Sequence, residues 1–171
     1  MRRGARAAAL ALTALAVPAA AAAQSSSVVA EQRGWVVEAY AVPAGDGAEI
    51  RYCVASRRAT PDFRLAFVAT RATLGVLLGV PGAAFQAGAQ HPVEIRIDRG
   101  EPTTAAARVV NPETLSVLRE GTDVEAELAP YARGSRVRVS GPALGGERTA
   151  GLDGSSWAIR TLAACRAAIL G

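Results

Sequence analysis

Residues 151–171 read GLDGSSWAIRTLAACRAAILG, and what they fold into decides the architecture of the chain. Within them Gly154-Ser155-Ser156-Trp157-Ala158 has the outline of a Gly-x-Ser-x-Gly nucleophile elbow with alanine in the last place. Such an elbow needs a strand entering a helix in a parallel α/β sheet, with an acid and a histidine further along the chain. No acid and no histidine follows Ser156, and the single histidine, His91, lies upstream. The other reading is a closing helix. Ala158, Leu162, Cys165 and Ile169 fall at i, i+4, i+7 and i+11, one apolar stripe at the helical period, with Asp153 placed to cap it. The helix is the better reading, and a serine hydrolase working through Ser156 and His91 is the weakest of the functional ones.

That stripe turns Cys165 inward, toward the strand expected to carry the other cysteine, Cys53. An even cysteine count in an exported chain reads as a disulfide, which across so long a loop stabilises by about 4–5 kcal/mol in the chain-entropy model. Two buried free thiols or a redox pair are the alternatives, although redox pairs usually sit as Cys-x-x-Cys. Cys53, Cys165 and His91 lack the local spacing of zinc ligands, so no metal and no cofactor is expected.

Export is the expectation for residues 1–23. Arg2, Arg3 and Arg6 precede an apolar run over residues 7–17, and three alanines precede Gln24: the parts of a cleaved signal peptide. A run of about eleven residues is short of the roughly twenty that span a bilayer, and no cysteine follows the cleavage site to carry a lipid. All 19 basic residues are arginine, which excludes lysine-dependent phosphate loops and Schiff bases. Three of them fall in the signal segment, which holds no acid, so the net charge drops from +4 to about +1 on cleavage. Arginines elsewhere alternate with acids, as in VEIRIDRGE (93–101), which speaks against nucleic acid.

The rest reads as one domain. Residues 24–33 look like a flexible lead, and residues 34–171 like a single β-rich domain closed by the C-terminal helix. WVVEAYAV (35–42) and IRYCVASR (50–57) form a hairpin across PAGDGAE. FRLAFVAT (63–70) and TLGVLLGVP (73–81) follow as strands, and residues 83–91 as a loop or single helical turn. PVEIRID (92–98) is the clearest strand, with Val93, Ile95 and Ile97 facing one way. Its other face, Glu94, Arg96 and Asp98, is a charged candidate interaction surface, or simply a solvated face with internal charge pairing. ARVVN (107–111) is a shorter strand. Asn111, Pro112 and Glu113 open a helical turn through Leu115 and Leu118 to Gly121. Thr122 and Glu125 have capping-box spacing for a second helix with Val124, Leu128 and Tyr131 on its apolar face, stopped at Gly134. SRVRVSG (135–141) and RTAGL (148–152) complete the strands. The fold class is α+β: an antiparallel β-sandwich-like core with two short late helices and a C-terminal helix.

The order of GWVVEAY (34–40), RYCVAS (51–56), VEIRIDRG (93–100), YARGSRVRVS (131–140) and GLDGSSWAIRTLAAC (151–165) resembles the invasion-associated locus B family of exported bacterial proteins. The resemblance implies a periplasmic or envelope-associated β-rich module without known catalytic residues, linked in some members to host-cell invasion. The chain departs from the family in lacking a cysteine near Trp35 and a cysteine pair before Asn111. Gly154-Ser155 also stands where Gly-Phe is expected. No functional residue carries over.

These readings converge on an exported, non-enzymatic module that acts through contacts with an envelope or host protein, with no membrane span in the mature chain. Its surface would be Glu94, Arg96 and Asp98 or the loop at residues 79–91. The alternative is a binder of small ligands or lipids, with a pocket lined by Trp35, Phe67 and Trp157. Protein recovered from a Gram-negative periplasm should have the mass of a chain starting at Gln24 and alkylate at cysteine only after reduction. An unprocessed chain would undo the export argument.

Overall fold

The computed structural model of the chain describes residues 25–44, 47–57, 60–121 and 123–171, so the expected signal segment lies outside the described residues. Among the described residues ten strands form one antiparallel sheet: β1 (Ser25–Gln32), β2 (Trp35–Ala44), β3 (Gly47–Arg57), β4 (Arg64–Thr70), β5 (Thr73–Gly79), β6 (Gln90–Ile97), β7 (Thr103–Asn111), β8 (Thr114–Glu120), β9 (Arg136–Ser140) and β10 (Arg148–Gly151). Their spatial order is β1-β2-β3-β4-β5-β8-β7-β6-β9-β10. Helices α1 (Val124–Glu127) and α2 (Ala129–Arg133) sit between β8 and β9, and α3 (Ser155–Leu170) closes the chain. The expected α+β, sandwich-like antiparallel architecture is the one the chain adopts.

The sheet wraps around α3. Trp35 Nε1 donates to the Asp153 carbonyl at 2.9 Å, and Arg57 Nη1 donates to the Gly151 and Asp153 carbonyls at 3.0 and 2.8 Å. These bonds hold the chain just beyond β10 against the paired ends of β2 and β3. Residues from both flanks of the sheet and from α3 therefore share one core, which runs from Trp35, Val37 and Phe67 through Leu162 to Val93, Val137 and Val139.

Three attachments, one covalent and two made by arginines, fix α3 within that wrap. Cys53 on β3 and Cys165 on α3 form the expected disulfide, with Cα atoms 6.2 Å apart. Arg166 is 2% exposed and donates to the carbonyls of Thr70, Arg71 and Gly121 at 2.8–2.9 Å, so its buried charge rests on backbone oxygens. Arg71 returns a bond to the Ile169 carbonyl, one of the acceptors left over at a helix C-terminus.

Four local expectations are corrected. Within the lead expected at residues 24–33, Ser25–Gln32 are instead strand β1, paired along β2 with a bulge between Val28 and Ala30. It is held by its backbone ladder while its side chains stay mostly exposed, so it leaves no hydrophobic signal. The helix expected from Pro112 to Gly121 is strand β8. Asn111 Oδ1 accepts from the Glu113 amide at 2.9 Å and makes a turn of Asn-Pro-Glu rather than a helix start. Leu115 and Val117 then alternate inward, and the waiting edge of β5 pairs with all seven residues of β8. The second expected helix is broken at Leu128 into α1 and α2, because Pro130 has no N–H with which to continue the ladder. Asp123 caps α1 by accepting from the Ala126 amide, and Thr122 lies outside the described residues. Finally, Gly154, at φ +80°, rather than Asp153, precedes the first turn of α3.

Replacing both cysteines with alanine should cost about 4–5 kcal/mol of unfolding free energy, because the bridge spans 112 residues. Arg166→Met should cost on the order of 3 kcal/mol by stripping three carbonyls of their donor. Guanidinium denaturation of both variants measures this; losses below about 1 kcal/mol would mean that packing alone holds α3.

Candidate functional site

The site follows from where the ladder between β7 and β8 stops. Near their connecting turn the two strands pair at Val109–Leu115 and Arg108–Ser116. Beyond that, residues 103–107 pair with β6 only, and residues 117–120 pair with β5 only. The sheet parts there. A bulge between Val109 and Asn111 starts the divergence. The loop at residues 79–91 fastens the turn: the Val80 and Phe85 amides donate to the Glu113 and Pro112 carbonyls, and the Glu113 carboxylate accepts from the Gly82 amide.

A cleft of about 530 Å³ occupies the parting. Its strand walls are Leu74 and Val76 from β5, Val117 and Arg119 from β8, Thr103 and Ala105 from β7, and Ile95 and Ile97 from β6. Leu128, Pro130 and Tyr131 from the helical segment make its third wall. Gly134 lets that segment come close, since a Cβ there would run into Ile97 and Leu152. The Tyr131 carbonyl accepts from the buried Ser155 hydroxyl at 2.8 Å, which ties the wall to the first turn of α3. The Tyr131 ring meets Phe67 edge-on at 5.2 Å. Burial pushes the Tyr131 phenol up to about 12, with the charge of Arg119 pulling the other way.

The charges at the mouth are of both signs. Arg119 lies 3.6 Å from Glu127, both well exposed, and Asp98, Glu101 and Arg133 add one charge each. A cleft of this size, apolar within and sparsely polar at its mouth, falls in the range of roughly 300–1,000 Å³ typical of ligand sites. A broader depression of about 620 Å³ lies over Ser56, Ala66 and Leu77, but it is built on one face of the sheet, with only the turn at Thr60 and Pro61 beside it.

No family model, curated protein or solved structure matches the chain. Its site therefore rests on its own geometry.

Of the residues singled out from sequence as site candidates, Asp98 lines the cleft and the others fall elsewhere. Trp35, Phe67 and Trp157 do not line a pocket: Trp35 and Phe67 are fully buried and stacked at 5.2 Å, filling the core, and Trp157 packs partly buried against it. Glu94 and Arg96 form an exposed pair at 3.4 Å. Asp98 leaves their face at φ +52° and accepts from the Ser135 and Arg136 amides, fixing the start of β9. His91 packs its ring 6.0 Å from Phe85, and no hydrogen bond joins it to Ser156 among the described residues. Leu128 and Tyr131 were legible as one apolar stripe, and Ile95 and Ile97 as one apolar strand face. The parting was not, because β8 reads as helix in isolation.

The raised phenol sets an alkaline limb. Below pH 10, the ordinary value, folded and unfolded chains both hold the Tyr131 proton. Between pH 10 and about 12 only the folded chain does, so unfolding releases a proton and stability falls as pH rises. Urea unfolding from pH 9 to 12 should show a shallower fall for Tyr131→Phe than for the parent chain; parallel curves would refute a buried, neutral phenol.

Proposed function

We propose that this is an exported, non-enzymatic binding module that engages an envelope or host protein through the cleft where β7 and β8 part. The observation that carries the reading is the parting itself: two strand edges face each other over an apolar floor with no described strand between them. The disulfide supports residence in an oxidising compartment. No described helix is long and apolar enough to cross a membrane. Kinship with the invasion-associated locus B family belongs to this reading and rests on the quoted motifs.

A small amphiphile is the second reading, favoured by the aliphatic walls and by the neutral phenol of Tyr131 among them. Both readings place the ligand in the same cleft.

A photoreactive residue in place of Val117 should form adducts in the periplasm that disappear when Ala105→Trp fills the cleft. The same residue in place of Arg108, exposed beside the parting, should form none. Adducts indifferent to Ala105→Trp, or equal from both positions, would sink the cleft as the binding site.

A further inference from the structure

We infer that the parting between β7 and β8 receives one extended segment of a partner protein, docked as an added strand. This rests on the reading that the cleft is the binding site, and adds the conformation and pattern of what enters it.

Free strand edges invite pairing with other chains, and folded proteins ordinarily blunt them. The two ends of this sheet are blunted: β1 carries a bulge, and β10 is only four residues long. The edges inside the parting are not. Residues 103–107 run in unbroken register along β6, and residues 117–120 along β5. Thr103, Thr104, Ala105 and Ala106 keep the β7 edge low enough for another backbone to approach. Five residues at the strand rise give an edge of about 17 Å, enough for a short peptide ladder.

Beneath the parting, Leu128 and Tyr131 offer an apolar bed. A strand laid above them sends alternate side chains down onto that bed and the others to solvent. Backbone bonds would supply adhesion and the inward side chains selectivity, as in strand addition generally. Mixed charge at the mouth, with Arg119 beside Glu127, selects no ionic partner. The segment expected is therefore four or five residues, extended, with small aliphatic side chains at every second position.

The test uses the full chain and three probes: a peptide alternating valine and serine, the same peptide N-methylated at every residue, and decan-1-ol. With peptide about tenfold above its dissociation constant, amide exchange within residues 103–107 or 117–120 should slow about tenfold. The N-methylated peptide, whose side chains are the same but whose ladder donors are gone, should leave exchange unchanged. Equal slowing by both peptides, or no slowing by either at about 1 mM, overturns strand addition. If decan-1-ol alone then shifts the methyl resonances of Ala105 and Val117, the cleft stands as a binding site and only the strand mode falls. If no probe shifts them, both fall.

Discussion

The bond between Cys53 and Cys165 sets the geometry on which the rest depends. It fastens α3 to β3, and the sheet can curl only as far as that helix allows. Arg166 repeats the attachment one residue later, at the turn between β4 and β5 and at the end of β8. At the other end of the helix, Ser155 holds the Tyr131 carbonyl. A covalent link in the core thus reaches the wall of the cleft through one helix and one hydrogen bond. In a chain of moderate size such a cross-link can substitute for part of a larger core.

The cleft is a consequence of strand register. β8 is satisfied along its whole length by β5, whereas β7 is satisfied by β6 up to Arg108 and meets β8 only near their turn. Two ladders that diverge from a bulged hairpin leave polar backbone edges facing each other. Such edges are tolerable in water and rewarding to a partner that can pair with them. The helical segment keeps the gap from opening into the core, because Pro130 breaks it into two turns short enough to lie under the parting.

Much of the fold is readable in the chain itself. Alternation of apolar residues marks β3, β4, β6 and β9, and the stripe through Leu162 and Cys165 marks α3. β1 was invisible because it contributes backbone rather than apolar surface. Residues 112–121 were misread because Asn-Pro-Glu starts turns as readily as helices, and because the edge of β5, distant in sequence, decides between them. The aromatic residues that looked like a pocket became core for a related reason: large rings are buried wherever packing can hold them, and only the assembled sheet says which ones remain beside open space.

By itself, then, the sequence determined the chain's class, its antiparallel strands, its closing helix and the residues that could be bridged. Each of these follows from local periodicity or from residue chemistry. Tertiary structure alone decided that the bridge forms, that β8 is a strand, and that β7 and β8 part over Leu128 and Tyr131. Those outcomes turn on which backbone edges meet, and hydrogen-bond pairing between distant segments leaves almost no trace in the order of side chains.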